Sequence, residues 1–209
     1  MPAHATDNIR ALPHTQDATA LASDMSRLTA SGAMAPTVQK KLKTRHDLIT
    51  WLDEHECARS GYSALSAAIV LLKGVAAEMH RAGTLGPLAC PQRAMLACYP
   101  AGGAAYVSHR DCTVEEGVPS NRRMLTCCLY ANEGWDEERD GGCLRLHRCN
   151  GVPGSAHVDV VPEAGTLVLF KSREVLHEVL PTGPHRQRLA LTLWIFDARA
   201  CHGPGLEST

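Results

Sequence analysis

The stretch RLALTLWIFD, residues 188–197, has the composition and the alternation of a buried β-strand. Successive side chains of a strand point to opposite faces. One face would carry only aliphatic side chains, those of Leu189, Leu191, Leu193 and Ile195. The other face would carry Arg188, Ala190, Thr192 and Trp194. Both faces are apolar enough for burial, so this strand is expected to lie inside the fold.

Arg188 is the one charged side chain within this strand before its final residue. A buried arginine is costly unless an anion balances its charge. A carboxylate ligand held by two parallel hydrogen bonds would be a suitable partner. The alternative is that Arg188 only starts the strand and points to solvent, as most arginines do.

Upstream of this strand, short apolar runs alternate with turn residues. The runs are residues 94–100 (AMLACYP), 123–131 (RMLTCCLYA), 143–147 (CLRLH), 157–161 (HVDVV), 166–170 (TLVLF) and 177–180 (HEVL). The segments between them are rich in Gly, Pro, Asn and Asp, which favour turns. Many short strands in succession predict a sandwich or barrel. We therefore predict a mainly β fold, a jelly roll or double-stranded β-helix, with supporting helices.

The first half of the chain predicts a helical layer packed on this core. Residues 17–29 place three apolar side chains at helical spacing, those of Leu21, Met25 and Leu28. Residues 63–79 are rich in Ala and Leu and predict the longest helix, capped by Ser63 or Ser66.

A single domain over residues 17–209 follows from the length of 209 residues. We expect a loose tail at 1–16, a helical front at 17–92 and the jelly-roll core at 93–197, with a short strand at 46–53 inside the front.

The net charge of the chain disfavours some classes of binding partner. The chain carries 21 basic and 22 acidic residues, a net charge of −1. Nucleic acids and membrane surfaces favour a concentrated basic face, so neither is expected as the main partner. No run of 18 apolar residues is present, which predicts no membrane-spanning segment.

The nine cysteines do not suggest a disulfide framework, because their number is odd and no apolar leader precedes them. A reducing compartment, the cytoplasm and also the nucleus, is therefore expected. The cysteines in apolar runs are interpreted as small core residues, namely Cys98, Cys127, Cys128 and Cys143. Cys112 follows Asp111 on a polar loop, where an ordinary exposed thiol is expected and a redox-sensitive thiol is the alternative. A zinc site is disfavoured, because the cysteine spacings do not form two clean C-x2-C pairs.

His109 and Asp111 form a His-x-Asp pair at the end of the segment YVSHRD. In an extended strand these two side chains point to the same side and can reach one metal. His177 opens a distant run and could supply a third ligand. Two histidines and one carboxylate with open positions are typical of non-haem Fe(II) oxygenases. His-x-Asp alone is common by chance, and Arg188 is what makes a site with an anionic co-substrate plausible.

Residues 94–197 resemble the catalytic domain of the HIF prolyl hydroxylases, the oxygen-sensing prolyl 4-hydroxylases. The matching stretches are MLACYP, GAAYVSHRD, RMLTCCLYANEGWD, DGGCLRL, HEVLP and RLALTLWIFD, in the order of the family. A weaker match covers residues 45–53, RHDLITWLD. The loop CTVEEGVPSN looks longer than in the animal sensors, and the segment HECARSGYSAL and the tail after Asp197 also differ, which leaves the target open.

The resemblance implies a role for each matching residue. His109, Asp111 and His177 would bind Fe(II), and Arg188 would complete the catalytic set by holding the remote carboxylate of 2-oxoglutarate. The other residues implied around the co-substrate are Tyr130, Thr192, Tyr99, Tyr106, Leu144 and Trp194. Arg123 would contact the peptide substrate near the entrance. The collagen-type enzymes use lysine where this chain has Arg188 and work in the secretory pathway, so the resemblance points away from them.

The expected activity is therefore hydroxylation of a proline in a protein target, with O2 as second co-substrate, ascorbate in support and a role in oxygen sensing. We expect a monomer. The alternatives are a related 2-oxoglutarate oxygenase acting on another residue or a small molecule, and a cupin-like binding protein that has lost catalysis. The presence of His109, Asp111, His177 and Arg188 together disfavours the last.

Overall fold

The computed structural model describes residues 18–36, 44–83, 85–147 and 156–199. The helices in these ranges are α1 (Ala18–Ala30), α2 (Glu54–Arg59), α3 (Ser63–Arg81) and α4 (Glu137–Asp140). The strands before residue 120 are β1 (Ala35–Pro36), β2 (Leu48–Leu52), β3 (Leu88–Ala89), β4 (Ala94–Tyr99), β5 (Tyr106–His109), β6 (Val114–Glu115) and β7 (Val118–Pro119). The later strands are β8 (Arg123–Tyr130), β9 (Leu144–His147), β10 (His157–Val160), β11 (Leu167–Lys171), β12 (His177–Val179) and β13 (Arg188–Asp197). The expected tail at 1–16 lies outside the described residues.

Two antiparallel sheets form the body of the fold. The larger has the strand order β1-β2-β4-β13-β8-β11, with β3 also pairing to β13. The smaller has the order β10-β9-β12-β5. Non-consecutive strands lie side by side in both, as in a jelly roll, so the predicted mainly β fold with a helical layer is confirmed. Three strands of the predicted helical front, β1, β2 and β3, also enter the larger sheet.

Strand β13 has the two faces that its alternation predicts. Its four aliphatic side chains, Leu189, Leu191, Leu193 and Ile195, pack in a core with α1 and α3. On the opposite face, Ala190 and Trp194 pack in a second core that includes residues of the smaller sheet. The second core surrounds the space between the two sheets, so residues facing it can build a site.

A capping contact joins two helices of the helical layer. The predicted caps of α3, Ser63 and Ser66, are wrong, because Tyr62 occupies the N-cap position and makes no side-chain capping bond. Asp24 of α1 replaces them, since its Oδ2 accepts hydrogen bonds from the backbone N–H of Ala64 at 2.9 Å and of Leu65 at 3.2 Å. A carboxylate at the positive end of the helix dipole satisfies donors that would otherwise be orphaned.

Helix α3 is the one described helix whose length and composition would allow it to cross a membrane, and its mean hydropathy is 1.3. The buried core helix of a globular domain passes the same test. Leu65, Ile69 and Leu72 of α3 are fully buried against the larger sheet. The absence of a membrane-spanning segment stays a prediction.

Two short helices and a hairpin were not predicted. Helix α2 is capped by Asp53, whose carboxylate accepts hydrogen bonds from the N–H groups of His55 and Glu56. Helix α4 interrupts the strand region for four residues, Glu137–Asp140. The loop after Asp111 contains the hairpin β6–β7. Such elements are too short for a periodic apolar pattern, so only their caps and turns mark them.

Candidate metal centre

Strand pairing brings the three predicted metal ligands together. His109 ends β5, Asp111 follows two residues later, and His177 begins β12. Strands β5 and β12 pair antiparallel with His177 directly opposite His109. The Nε2 atoms of His109 and His177 each lie 3.8 Å from an oxygen of Asp111. All three ligand atoms lie within 4.8 Å of one another, which is close enough for one ion.

The protonation states of these groups suit a metal. Burial, followed by the neighbouring charge of His177, lowers the pKa of His109 to about 4. Burial also lowers the pKa of His177, although Asp111 opposes it. For Asp111, burial acts to raise the pKa but is outweighed by His177 and by a hydrogen bond from Thr126, so the pKa is lowered. At neutral pH the site therefore contains two neutral imidazoles and one carboxylate, which is the donor set that a divalent ion requires.

Backbone contacts orient the two imidazoles. Nδ1 of His109 lies 2.8 Å from the carbonyl oxygen of Val107, and Nδ1 of His177 lies 3.2 Å from that of Val175. A proton on Nδ1 would be donated to these carbonyls, which leaves the lone pair of Nε2 on the side of Asp111. The donor set and its orientation thus fit a metal bound by His109, Asp111 and His177.

Thr126 and Ser172, which were not predicted from the sequence, support the ligands together with Tyr106, which was. Thr126 Oγ1 donates to Asp111 Oδ2 at 2.7 Å and lies 2.8 Å from Ser172 Oγ. The ring of Tyr106 stacks on His109 with centroids 3.7 Å apart. The alternation of β8 could have placed Thr126 on the same face as Tyr130, but nothing local indicates its contact with Asp111.

Arg188 is the buried cation that its strand predicts, at 2% exposure. Its Nε donates to the carbonyl oxygen of Gly142 at 2.7 Å, and its Nη2 donates to Tyr130 Oη at 3.2 Å. Its guanidinium carbon lies 5.0 Å from the ring centre of Tyr99 and 4.9 Å from that of Tyr130. In the part of the chain that the structure describes, no carboxylate lies within ion-pair distance of it. The alternative that Arg188 points to solvent is wrong, and its charge calls for an anion in the adjoining space.

Arg186 occupies a different environment, although it lies only two residues before Arg188. Its Nη1 and Nη2 donate to the carbonyl oxygens of Gly134 and Glu133. Its guanidinium lies over the ring of Trp135 at 5.1 Å. Arg186 therefore faces away from the space that contains the candidate ligands.

A cavity of about 780 Å³ joins the two ends of the site. It is lined by every residue predicted from the sequence, namely His109, Asp111, His177, Arg188, Tyr130, Tyr99, Tyr106, Thr192, Leu144, Trp194 and Arg123. Its lining also includes Arg45, Trp51 and Arg93, which were not predicted. This volume lies within the usual range for a small-molecule site.

The mouth of the cavity combines aromatic rings with a cation. The guanidinium of Arg123 lies 3.9 Å from the ring centre of Trp194, and its Nη1 is 3.8 Å from Asp111 Oδ1. Burial lowers the pKa of Arg123. Trp51, which is 39% exposed, has its ring centre 6.0 Å from that of Trp194. An extended chain could lie across this surface, because planar rings pack well against such segments.

The cysteines are distributed mainly as expected. Cys98, Cys127 and Cys143 are buried, and Cys128 lines the cavity with its Sγ 3.5 Å from Thr192 Oγ1. The expectation that Cys112 is exposed is wrong, since it is 1% exposed and its thiol donates to the carbonyl oxygen of Asn121 at 3.2 Å. The chain turns back through the hairpin β6–β7, which returns Asn121 to Cys112.

Comparison with known proteins gives matches over the same region. The 2OG-Fe(II) oxygenase superfamily matches residues 94–196. The chain is 35% identical over 162 residues to human prolyl hydroxylase EGLN3, covering 76% of this chain and 61% of that protein. It spans less than two thirds of the length of the first curated relatives that it matches.

Two solved structures are similar over nearly the whole chain. A prolyl-4-hydroxylase from Pseudomonas putida is 33% identical with a TM-score of 0.71, covering 90% of this chain and 89% of that one. A prolyl hydroxylase from Trichoplax adhaerens, solved with a peptide fragment of the hypoxia inducible factor oxygen degradation domain, is 25% identical with a TM-score of 0.75. That match covers 93% of this chain and 86% of the other.

Proposed function

The chain belongs to the 2OG-Fe(II) oxygenase superfamily, and we propose that it is a prolyl 4-hydroxylase acting on a protein target. The observation that carries this proposal is the buried Arg188, whose charge has no carboxylate partner among the described residues and which lines the same cavity as His109, Asp111 and His177. A metal at one end and a cation at the other suit a dicarboxylate that chelates the metal through its keto acid end. 2-Oxoglutarate is such a molecule.

Each residue of the cavity has a task in this proposal. His109 and His177 would offer Nε2 to Fe(II), and Asp111 would offset part of the charge of the metal. Bound Fe(II), together with 2-oxoglutarate and O2, supplies the oxidising chemistry that hydroxylates a C–H bond and yields succinate and carbon dioxide. Arg188 would hold the remote carboxylate of 2-oxoglutarate through charge-assisted hydrogen bonds, with Tyr130 beside it.

The remaining side chains would shape and dry the site. Leu144 and Trp194 are nearly fully buried and form apolar walls. Thr192, at 5% exposure, lines the same cavity, and its hydroxyl oxygen lies 3.5 Å from Sγ of Cys128. Exclusion of water protects a reactive site from side reactions, and fixed walls hold the target in a reactive geometry. Tyr99 and Tyr106 would complete the lining on the side of β4 and β5.

The target would be a proline within an extended segment of another protein. The names of the similar proteins, which include a complex with a peptide, support a peptidyl target. Arg123 and Trp51 lie at the mouth of the cavity, where they could contact residues that flank the proline. We also propose ascorbate as a supporting reductant, a monomeric enzyme, and a role linked to oxygen supply.

The proposal is tested by mass spectrometry of the host proteome with the wild-type chain, with the Asp111→Ala variant, and with no copy of the chain. Singly oxidised proline should occur only with the wild type, and target-dependent formation of succinate should be lost in Asp111→Ala and in His109→Ala. Full activity of both variants would contradict the metal assignment. Oxidation of a different residue type would favour a related oxygenase, and succinate formation with no modified protein would favour a small-molecule substrate.

A further inference from the structure

Three loops meet beside Arg188, which one of them contacts through Gly142. They comprise residues 100–104, 140–142 and 181–183, and we call them the end plug. Their backbones pair directly through Gly102 N to Gly183 O (2.8 Å), Gly103 N to Thr182 O (2.9 Å), Gly142 N to Pro181 O (2.9 Å) and Gly183 N to Asp140 O (2.7 Å). The hydroxyl of Thr182 ties two of the loops together, since it donates to Pro100 O at 2.7 Å and accepts from Ala104 N at 3.0 Å.

The loops can approach this closely because glycines lie at the contacts. A Cβ added to Gly183 would lie 2.2 Å from the carbonyl oxygen of Arg139. A Cβ added to Gly142 would lie 3.1 Å from Cδ of Arg188, and Gly142 has a φ of +67°, which other residues rarely adopt. The end plug is thus a backbone structure with no room for side chains at these positions.

Buried polar contacts stiffen the end plug from the outside. The carboxylate of Asp140 is fully buried and accepts hydrogen bonds from the N–H of Asp136 and from the guanidinium of Arg139. Trp135 Nε1 donates to the carbonyl oxygen of Gly141 at 2.9 Å. The peptide units on either side of Gly142 therefore have few alternative orientations.

We propose that Gly142 is a positioning residue for Arg188, and that the end plug sets the affinity for the remote carboxylate of 2-oxoglutarate. The carbonyl oxygen of Gly142 accepts a hydrogen bond from Nε of Arg188, and the hydroxyl oxygen of Tyr130 accepts one from Nη2. These two contacts fix the plane of the guanidinium. The described residues provide no hydrogen bond for Nη1, which remains to meet a ligand. A long side chain fixed before binding loses less rotamer entropy when the ligand arrives.

This inference rests on the proposed function, because it concerns how the same site binds its co-substrate. Its test is the Gly142→Ala variant, whose new methyl group would push on Cδ of Arg188 and tilt the guanidinium. The matched control is Gly83→Ala. Gly83 has a φ of +64° and no atom within 4 Å of an added Cβ, so it carries the same backbone strain without touching the site.

Binding is measured by titration calorimetry on protein loaded with Mn(II), which supports no turnover. We expect Gly142→Ala to bind 2-oxoglutarate about tenfold more weakly, the factor that corresponds to about 1.4 kcal/mol. Its affinity for Mn(II) and for 2-oxobutanoate, which lacks the remote carboxylate, should stay within twofold of the wild type. Gly83→Ala should match the wild type for all three.

Several outcomes would overturn the inference. One is an unchanged affinity of Gly142→Ala for 2-oxoglutarate. Another is a loss of its affinity for Mn(II) or 2-oxobutanoate as large as the loss for 2-oxoglutarate. If Gly142→Ala does not fold, Trp135→Phe removes the hydrogen bond to Gly141 and should still weaken 2-oxoglutarate several-fold, with unchanged binding contradicting the inference. A wild-type chain that binds Mn(II) but not 2-oxoglutarate would instead refute the proposed function.

Discussion

Replacing Arg188 with lysine keeps a positive charge in the cavity but removes the planar guanidinium and its several N–H donors. The arginine uses Nε for the carbonyl oxygen of Gly142 and Nη2 for the hydroxyl of Tyr130, while a further N–H group can meet a carboxylate. A lysine ammonium is a compact donor at the end of a flexible stem, so it cannot hold these partners and a carboxylate in one plane. Binding of 2-oxoglutarate should weaken while the metal site is preserved.

The magnitude follows from the number of hydrogen bonds lost. One charge-assisted hydrogen bond contributes about 1.5–3 kcal/mol, which corresponds to about 10- to 100-fold weaker binding of 2-oxoglutarate. The carbonyl oxygen of Gly142 would also lose its buried donor. An unsatisfied buried acceptor costs about 1–3 kcal/mol, so the free energy of unfolding should fall by a similar amount.

The assay is calorimetric titration of 2-oxoglutarate into Mn(II)-loaded protein, with urea unfolding for stability. Arg145→Lys is the matched control, because Arg145 pairs with both carboxylate oxygens of Asp159 and does not line the cavity. It should bind 2-oxoglutarate like the wild type. The reasoning is refuted if Arg188→Lys stays within twofold of the wild type, or if Arg145→Lys loses as much affinity as Arg188→Lys.

Three further predictions follow from the metal centre and the helical layer. Because the pKa of His109 is lowered to about 4, protons should compete with Mn(II) only in acid. The affinity of the protein for Mn(II), measured by titration, should stay level from about pH 8 to pH 6 and fall below about pH 5. A decline that begins near pH 6.5 would contradict the lowered pKa. Thr126→Val leaves Oδ2 of Asp111 without this donor, so it should weaken Mn(II) binding about 10-fold and also lower the free energy of unfolding. An unchanged affinity would show that the bond is not needed. Asp24→Ala removes the cap of α3. Urea unfolding should show a free energy of unfolding lower by about 1–2 kcal/mol, with the same affinity for 2-oxoglutarate. Equal stability would show that water satisfies the N–H groups of the helix end as well as Asp24 does.

The residues of the site could be predicted largely from local patterns and from the resemblance. The alternation of β13 separates the residues that face the helices from those that face the cavity, and the structure has the same division. The His-x-Asp spacing brings His109 and Asp111 close to each other, because neighbours in a chain cannot be far apart. All predicted site residues line one cavity, and their individual roles stay predictions.

Contacts between distant parts of the chain could not be predicted in the same way. Asp24 caps a helix that begins about 40 residues later, and it replaced the serines at the start of that helix. Cys112 has a polar sequence environment but is buried, and its thiol donates a hydrogen bond to the carbonyl oxygen of Asn121, nine residues later. Local sequence does not encode such contacts, since they depend on how separate elements pack.

The sequence by itself determined the strand-rich architecture, the buried faces of β13 and the donor types of the metal centre, because a strand repeats every two residues and side-chain chemistry is local. Only the tertiary structure decided that His177 lies opposite His109, through the register of β12 against β5. It also decided that Arg188 is held by a carbonyl oxygen 46 residues away, in a loop that approaches because it has glycines. Both contacts join segments that are distant in the sequence. Bringing such segments together costs chain entropy, and this cost is offset by the packing of the whole core rather than by any local stretch.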